Sequence, residues 1–366
     1  MKVVQVLPAL ELGGVERGTL DIAKALVEEG HESVVISAGG RLVQQLVQEG
    51  SRHVTWDLGK KSPLTFLKFW SVRKWLREEC PDIVHVRSRM PAWVVWLAWK
   101  GMPENDRPRF ITTLHGMHSV NWYSAIMGRG ETVICVSETC KRYLLDNYSE
   151  PPEDRTVVIH RGIDSGEFSR GYRPDSDWLA KFSELYPNVI DHKLVCFPGR
   201  ITRWKGHLEL VKVAEKLAEM RQDFRFLVVG SDPKGHFIEE FKQAITTKEL
   251  DNYFIFLGTR KDMRELYAIC DASLSLTTTT EESFGRTVVE SLAIGTPVIG
   301  YGHGAVSETL SAMFPYGKVA VGDVDSLVLK LNRVLDGEYV HIGELKFTLA
   351  DMRARTLELY ATALKQ

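Results

Sequence analysis

Short apolar runs rich in β-branched residues recur along the first half of the chain and predict β-strands. Helical stretches such as VERGTLDIAKALVEEG separate several of these runs. The runs are VVQVL (3–7), SVVIS (33–37), DIVHV (82–86), FITTL (110–114), ETVICVS (131–137) and TVVIH (156–160). Apolar strands that alternate with helices predict a parallel sheet whose two faces are both covered.

A second series of such runs follows a polar segment, RGIDSGEFSRGYRPDSDW, which is rich in Gly, Asp and Ser. We interpret this segment as a linker and the chain as two doubly wound α/β domains. The second series is KLVCFPG (193–199), RFLVVGS (225–231), FIFLG (254–258), ASLSLT (272–277) and TPVIGY (296–301). Two such sheets are expected to bind ligands at the carboxyl ends of their strands, in the cleft between them.

Length and composition agree with two domains, because 366 residues that are 44% hydrophobic suffice for two cores. The net charge of -2 predicts no nucleic-acid partner. The charge is unevenly spread, since residues 60–109 hold eleven Lys and Arg against five Asp and Glu. The same segment holds five of the nine tryptophans.

The cysteines and the apolar segments indicate the cellular compartment of the protein. Five cysteines form no C-x-x-C pair, which favours a reducing, cytoplasmic setting. The stretch MKVVQVLPAL leads into a Gly-Gly turn without a small-residue cleavage site, so we expect a first strand and not a signal peptide. The longest apolar stretch, PAWVVWLAWKG, is about half the length of a bilayer span, so no integral membrane protein is predicted.

Two glycines, Gly13 and Gly14, follow the first strand and precede a helix expected to begin near Val15. They permit a tight turn with exposed backbone N–H groups, and the helix start favours an anion. A plain strand-to-helix turn is equally compatible with this segment. The spacing G-G-x-x-x-G is not the dinucleotide fingerprint G-x-G-x-x-G, which disfavours a Rossmann dehydrogenase.

Polar side chains also follow other predicted strands. In FPGRITRWKGHLEL, Arg200 and Lys205 come after a strand and are suited to hold a diphosphate, unless the loop is only a solvated basic one. In FITTLHGMHS, His115 ends a strand and could act as acid or base or orient a substrate hydroxyl. A purely structural histidine is the alternative, and His118 competes for the same role.

The stretch EESFGRTVVE combines two carboxylates with a predicted helix start near Phe284 to Arg286. Glu282 lies in the loop before this helix and Glu290 lies inside it. The N–H groups of Phe284, Gly285 and Arg286 would form a second anion site. Carboxylates accept hydrogen bonds from sugar hydroxyls, so the pattern indicates a phosphate between two polyols, as in a nucleotide sugar. The alternative is an acidic first turn with an exposed Glu290.

A D-x-D pair at Asp323 and Asp325 could hold a metal-bound nucleotide sugar. The pair stands directly before the helical segment SLVLKLNRVL, and helix capping by Asp explains it better. No other cluster has the ligand spacing of a zinc or calcium site. We therefore predict no metal and no cofactor.

Five segments together resemble the motifs of the family-4 retaining glycosyltransferases of the GT-B fold. They are GGVER, VSETCKRYLL, VIHRGID, GRITRWKG and EESFGRTVVESLAIGTPVI, in this order. The last is similar to the family's E-x7-E motif through Glu282, Phe284, Gly285, Glu290, Gly295 and Pro297. The resemblance spans nearly the whole chain and implies two Rossmann-like domains that face each other across a cleft.

The resemblance implies domain bounds as well. The helical tail LADMRARTLELYATALKQ is similar to the family's terminal helix, which crosses back onto the first domain. We therefore expect an acceptor-side domain of residues 1–170 and 345–366, and a donor-binding domain of residues 171–344.

Site roles follow from the same resemblance. Arg200 and Lys205 match the pair that neutralises the donor diphosphate, Glu282 matches the ligand of the donor sugar, and Glu290 matches the ribose ligand. The implied catalytic residues are Arg200, Lys205, Glu282 and His115. The implied donor-binding residues are Gly13, Gly14, Phe284, Gly285, Arg286, Thr287 and Glu290. The expected reaction retains the anomeric configuration, with the leaving phosphate as base for the acceptor hydroxyl.

The sequence departs from the family pattern at several positions. His160 and Arg161 stand where Pro and Asn are usual, and Ser283 stands where Gly is frequent. The segment YGHGAVSE departs from the usual paired-Gly loop, although Glu308 still matches. These departures bear on the identity of the sugar more than on the reaction type.

The acceptor side is indicated by residues 60–109, the basic and tryptophan-rich segment. The stretch SPLTFLKFWSVRKWLREE could lie on an anionic membrane face. An ordinary amphipathic helix that covers the sheet is the alternative. The expected partners are a nucleotide-sugar donor, with UDP favoured over GDP, and a glycan or lipid-linked acceptor of lipopolysaccharide or polysaccharide synthesis at the inner face of the membrane.

Two other functions fit the same architecture. A nucleotide-sugar epimerase would interconvert a UDP-sugar without an acceptor. A non-catalytic nucleotide-sugar-binding protein would tolerate the loss of catalytic residues, and the presence of Arg200, Lys205, Glu282 and Glu290 disfavours it.

Overall fold

The fold is described from a computed structural model. The described residues are 1–11, 13–151, 153–232, 235–338 and 341–365. They form two compact units, the first comprising Met1–Gly162 with Leu349–Gln366 and the second comprising Ile163–Thr348.

The first unit is built on a seven-stranded parallel sheet with the strand order β3-β2-β1-β4-β5-β6-β7. Val4 and Val6 pack on one face while Val3 packs on the other, because successive side chains of a strand point to opposite faces. The strands are β1 (Lys2–Val6), β2 (Glu32–Ser37), β3 (Arg52–Thr55), β4 (Ile83–Val86), β5 (Arg109–Leu114), β6 (Thr132–Cys135) and β7 (Thr156–Val158).

Helices cover both faces of this sheet. Helix α15 (Leu349–Ala363) contributes the buried Tyr360 to the same face as α1 (Gly14–Glu28), next to Ile22 and Leu26. The helices are α1 (Gly14–Glu28), α2 (Val43–Gln48), α3 (Pro63–Leu67), α4 (Phe69–Glu79), α5 (Arg89–Lys100), α6 (Trp122–Ala125), α7 (Glu138–Asn147) and α15 (Leu349–Ala363). The final helix therefore completes the core of the unit in which the chain begins.

The second unit repeats the plan with a six-stranded parallel sheet in the order β10-β9-β8-β11-β12-β13. Its strands are β8 (Lys193–Pro198), β9 (Phe224–Val229), β10 (Phe254–Gly258), β11 (Ala272–Ser275), β12 (Val298–Tyr301) and β13 (Lys318–Val319). Its helices are α8 (Ser176–Leu185), α9 (His207–Met220), α10 (Phe237–Thr247), α11 (Met263–Ile269), α12 (Arg286–Ile294), α13 (Gly304–Met313) and α14 (Val324–Leu335). The architecture is the predicted two-domain α/β fold.

The division between the units falls at Gly162 and at Leu349, whereas the sequence suggested residues 170 and 345. The difference has a structural cause. The N–H group of Ile163 donates to the Phe347 carbonyl at 3.1 Å, and Ile163 forms a parallel bridge with Thr348. Both connecting segments are thereby tied to each other within the second unit.

Two strands were missed in the sequence, β3 and β13. Both are short edge strands, and neither carries the continuous apolar run that marks a strand buried on both faces. The predicted strands lie within two residues of the observed ones at each end. In the described part of the chain, no helix is long and apolar enough to cross a bilayer.

Candidate functional site

The sheet of the second unit reverses its strand order at β8, which lies between β9 and β11. Loops that leave such neighbouring strands at their carboxyl ends run to opposite sides and leave a crevice, where doubly wound sheets bind ligands. The loop after β8 carries Arg200 and Lys205, and the loop after β11 carries Glu282. The topology therefore brings together residues from two separate sequence motifs.

The β8 loop lies against β11 because of Gly206. This residue has a φ of 85°, and a Cβ atom there would lie 2.0 Å from the Leu276 carbonyl oxygen. Only glycine tolerates both the left-handed backbone and this close approach. The single turn Arg203–Lys205 directly before it is thereby fixed next to the end of β11.

Lys205 and Glu282 form the central contact of this crevice. The Lys205 Nζ atom lies 2.5 Å from Glu282 Oε1, and only 16% and 14% of the two side chains are exposed. The Thr277 hydroxyl donates to the same carboxylate oxygen at 3.2 Å. A charged hydrogen bond shielded from water is stronger and better oriented than an exposed one, so both side chains are held in place.

Arg200 differs from Lys205 in its surroundings. It is exposed, and its side chain forms no ion pair with a carboxylate of the described residues. Gly199, just before it, has a φ of 143° and leads the chain out of β8. The site thus contains one cation fixed by a carboxylate and a second one that faces solvent.

The start of α12 has the features of an anion site. Gly285 precedes its first turn with a φ of 74°, and no side chain caps the helix. The N–H groups of a first turn have no acceptor within the helix, and the helix dipole adds positive potential there. The Phe284 ring, in contrast, is buried and meets the Phe347 ring edge to face. Phe284 therefore anchors the loop through its side chain, which leaves only its backbone for a ligand.

Glu290 is buried, with 7% of the residue exposed. Its Oε1 accepts from Arg286 Nε at 2.6 Å, and its Oε2 accepts from the Tyr267 hydroxyl at 3.4 Å. Burial raises the pKa of Glu290, while the Arg286 charge opposes this shift. The alternative interpretation of the sequence, an exposed Glu290 in an acidic first turn, is wrong, because the side chain is buried and contacts Tyr267 of α11.

In the first unit, His115 directly follows β5 and contacts Arg161. The Arg161 Nη2 atom lies 2.7 Å from His115 Nδ1. Since a guanidinium can only donate, Nδ1 must accept, and the proton of the neutral ring is on Nε2. Burial lowers the pKa of His115 well below its ordinary value, and the Arg161 charge lowers it further. His115 is therefore a neutral hydrogen-bond donor through Nε2.

His118 has a different environment. Its carbonyl oxygen accepts from the Tyr143 hydroxyl, and burial lowers the pKa of its ring to about 4. The His118 charge is one of the smaller causes that lower the pKa of His115. The two histidines that compete in the sequence thus differ in their hydrogen bonds, since the His115 ring accepts from Arg161 and the His118 backbone accepts from Tyr143.

Helix α1 begins at Gly14, and Gly13 precedes it without a capping side chain. The Glu16 carboxylate lies over Gly13, since a Cβ atom there would be 2.2 Å from its Oε2. Gly14 instead faces Arg161, whose Nη1 would lie 2.5 Å from a Cβ atom at that position. The two glycines therefore have neighbours of opposite charge.

The D-x-D pair caps a helix, as predicted. The Ser326 N–H donates to the Asp323 carboxylate at 3.0 Å at the start of α14. Asp325 pairs with Lys216 on the surface. In the described part of the chain, no three His, Cys, Asp or Glu side chains cluster as metal ligands would.

No sequence pattern predicts the contact between Arg161 and His115 or a role for Arg87. The sequence marks Arg161 only as a departure from a motif. Its partner lies 46 residues away, and only the neighbouring positions of β5, β6 and β7 in the sheet bring the two strand ends together. Arg87, one residue after β4, carries no motif signal of its own.

Comparison with known proteins gives consistent matches over most of the chain. Residues 12–167 match the model described as Glycosyltransferase Family 4, and residues 186–346 match the one described as Glycosyl transferases group 1. A glycosyltransferase from Rickettsia africae is 30% identical, with a TM-score of 0.84 over 100% of this chain and 99% of that one.

Two further proteins are similar to this chain at lower identity. The GPI3 subunit of the phosphatidylinositol N-acetylglucosaminyltransferase of Saccharomyces cerevisiae is 25% identical over 96% of this chain and 80% of its own length. The structure of Anabaena HepE in complex with UDP-glucose has a TM-score of 0.78 at 20% identity, over 99% of this chain and 100% of that one. At that identity, the likeness to HepE shows the fold alone.

Proposed function

The chain belongs to the glycosyl transferases group 1 family and has the two-domain GT-B fold, and from this premise we propose a specific reaction for it. It transfers a sugar from a nucleotide diphosphate to an acceptor hydroxyl and retains the anomeric configuration. Glycosyl transfer itself is the activity of the family. The donor class, the stereochemistry and the acceptor are the proposal.

The observation that carries this proposal is the pairing of Lys205 with Glu282 at the strand-order reversal of the second unit. A donor has a negative diphosphate and a sugar rich in hydroxyls. Lys205 and the exposed Arg200 provide cations for the diphosphate, and Glu282 provides an acceptor for the sugar hydroxyls. A cation and a carboxylate at 2.5 Å match these two neighbouring parts of one ligand.

The proposed mechanism relies on charge that develops as the sugar–phosphate bond breaks. Negative charge then grows on the leaving diphosphate, close to Arg200, Lys205 and the first turn of α12. Groups fixed in advance and aimed at developing charge stabilise the transition state more than the ground state. The Lys205 side chain is fixed in this sense by Glu282 and by the turn before Gly206.

We assign hydrogen-bonding roles to the two carboxylates of the E-x7-E motif. Glu282 accepts from donor sugar hydroxyls and Glu290 accepts from the ribose. Neither acts as the base, because the leaving phosphate takes the proton of the acceptor hydroxyl. The contacts of Glu290 with Arg286 and Tyr267 support this assignment, since the carboxylate already accepts hydrogen bonds from two donors.

The donor is a UDP-sugar in this proposal, with a GDP-sugar as the second choice. The complexes of Anabaena HepE with UDP and with UDP-glucose support the choice of UDP. The test is a thermal-shift panel of UDP-, GDP- and ADP-sugars, because a ligand that binds only the native state raises the apparent stability. Release of UDP with and without acceptors then separates transfer from epimerisation, which needs no acceptor.

The acceptor is a glycan or a lipid-linked sugar of the cell envelope, and the enzyme reaches it at an anionic membrane surface. The support is an apolar patch formed by Leu64, Leu67 and Trp70, which are 72%, 60% and 62% exposed. The lysines Lys60, Lys61 and Lys68 beside it are exposed as well. We call these three apolar residues the α3–α4 patch.

Other residues of the basic segment 60–109 pack inside the first unit. Val72 and Leu76 of α4 are buried in the core of the first unit, and Arg73 donates to the carbonyl oxygens of Leu97 and Ala98. Helix α4 is thus an amphipathic helix that packs on α5. The proposed membrane contact is therefore limited to the α3–α4 patch and its lysines.

A further inference from the structure

The first unit has its own reversal of strand order, at β1, which lies between β2 and β4. The loop after β1 leads into α1 at Gly14, and Arg87 directly follows β4. Next to this point lies a small cavity of about 30 Å³, whose wall includes Gly18, His85, Arg87, His115 and Arg161. A volume of this size holds a water molecule or the oxygen atoms of a small group, but no sugar ring.

Two hydrogen-bond donors in the wall of this cavity have no acceptor among the described residues. Arg87 is 6% exposed, and its Nε finds no acceptor in the described part of the chain. The same holds for His115 Nε2, which carries the proton because Nδ1 accepts from Arg161. Buried donors almost always have an acceptor, so two unsatisfied donors in one cavity indicate a ligand that accepts hydrogen bonds.

The charge of the cavity indicates that this ligand is an anion. Two guanidinium groups, those of Arg87 and Arg161, line it, and no Asp or Glu is among its described wall residues. Two acidic residues lie outside this wall: Asp21 interacts with the charge of Arg87 and also pairs with Arg353, while Glu16 lies over Gly13.

The other polar groups of the cavity wall already have partners. His85 is held between the Tyr360 and Thr113 hydroxyls at 2.6 Å each. Positive charge removed from water is costly unless a counter-charge is present. The described wall of the cavity therefore contains two cations and two unsatisfied donors, and it contains no carboxylate.

We propose that Arg87, Arg161 and His115 bind an oxyanion of a substrate, the carboxylate or phosphate group of an acidic sugar or acidic acceptor. This inference rests on the proposed sugar transfer and narrows its substrate class. A guanidinium pair binds an oxyanion through charged, directional hydrogen bonds.

The first experiment uses inorganic phosphate as the probe. Thermal unfolding is followed in phosphate and in chloride at equal ionic strength, in the presence of saturating UDP. The proteins are the wild type, Arg161→Asn, Arg87→Gln and the control Arg77→Gln, an exposed arginine near the end of α4. Circular dichroism checks that each variant is folded, and Arg161→Asn is informative even if the buried Arg87 variant does not fold.

We expect phosphate to stabilise the wild type and the control equally. In Arg161→Asn the apparent Kd for phosphate rises by at least about tenfold, because a charged hydrogen bond is lost. An equal phosphate effect in all folded variants would overturn the proposal.

The second experiment measures the affinities of UDP, UDP-glucose and UDP-glucuronate by calorimetry. If UDP alone binds at least about tenfold more weakly to Arg161→Asn, the anion is the donor diphosphate and the proposal is wrong. A preference for UDP-glucuronate that is lost in Arg161→Asn assigns the anion to the donor sugar. No such preference, together with the phosphate effect, assigns the anion to the acceptor.

The failure of the anion site and the failure of the proposed function give different experimental results. A protein that binds no UDP or other nucleotide diphosphate contradicts the proposed donor class. The difference in phosphate binding between the wild type and Arg161→Asn can be measured all the same.

Discussion

The guanidinium of Arg161 donates to Nδ1 of His115 at 2.7 Å, although the two residues are 46 positions apart. This contact holds the imidazole in its neutral form with the proton on Nε2. A protonated ring would place a second positive charge against Arg161 in a buried position. The pairing therefore links the stability of the first unit to pH.

The first prediction is that stability falls as the pH decreases below about 6.5. Burial lowers the pKa of His115 and His85 well below the ordinary value of 6.5, and that of His118 and His207 to about 4. In that interval the unfolded chain binds protons that the native state does not. Stability is thus present above pH 6.5 and is lost progressively toward pH 4.

Urea unfolding at several pH values between 7.5 and 4.5 measures this dependence. Each suppressed protonation contributes up to about 1.4 kcal/mol per pH unit. In His115→Asn, the amide oxygen can still accept from Arg161, but the side chain no longer titrates. The slope of the free energy of unfolding against pH should then decrease by the contribution of about one proton. An unchanged slope would show that His115 does not contribute to the pH dependence.

The second prediction concerns the two cations proposed for the diphosphate. Arg200→Ala and Lys205→Ala should each reduce turnover by about 100-fold or more, because a donor aimed at developing charge is removed. Arg203→Ala is the matched control, since Arg203 lies in the same loop but pairs with Glu240 at the surface. The measurement is the steady-state rate with the nucleotide sugar that the thermal-shift panel identifies as the donor. Near-normal turnover of either variant refutes the assignment of these residues to the diphosphate.

Lys205→Ala should also lose stability, unlike Arg200→Ala. The Lys205 variant leaves the largely buried Glu282 without its cation, which costs about 1–3 kcal/mol. Arg200 is exposed, so its removal should leave the free energy of unfolding nearly unchanged. Equal stability of the two variants would mean that the contact between Lys205 and Glu282 contributes little in solution.

The third prediction tests the ribose role of Glu290. The wild type should bind UDP more tightly than 2′-deoxy-UDP, and Glu290→Gln should reduce this preference by roughly tenfold, as expected for a charged hydrogen bond. Glu215→Gln serves as control, since Glu215 pairs with Lys248 on the surface of the same unit. If the preference for UDP survives in Glu290→Gln, another group binds the ribose.

Much of the second unit could be predicted from the sequence. Glu282, Gly285 and Asp323 stand at strand-to-helix junctions, and the local pattern of apolar runs and caps defines such junctions. Parallel strands place these junctions at one edge of a sheet, so their approximate proximity follows from the fold class. The pairing of Lys205 with Glu282 is a consequence of β8 and β11 being neighbours, which no local pattern states.

Less of the first unit could be predicted from the sequence, for the same physical reason. The surroundings of Arg87, His115 and Arg161 depend on the order β4-β5-β6-β7 and on helix α15. The burial of Glu290 also escaped prediction, because its partner Tyr267 belongs to α11, another helix. Sequence patterns define which residues end a strand, whereas sheet order decides which of these ends meet.

The fourth prediction is that turnover requires no divalent metal ion, since Arg200 and Lys205 supply the positive charge at the diphosphate. Activity should be unchanged after treatment with EDTA, and a loss that Mg²⁺ or Mn²⁺ restores would contradict this. Asp323→Ala is the companion variant, because Asp323 caps α14. It should lower the stability by about 1 kcal/mol and leave turnover unchanged.

The fifth prediction concerns the α3–α4 patch. Wild-type protein should pellet with vesicles that contain anionic phosphatidylglycerol, and binding should weaken with salt, because the lysines interact with lipid charge within a Debye length. Trp70→Glu and Leu67→Glu place a negative charge in the patch and should abolish pelleting. Leu329→Glu is the matched control, since Leu329 is 56% exposed on α14 of the other unit. Equal pelleting of all variants, or none by the wild type at low salt, would exclude the patch as a membrane contact.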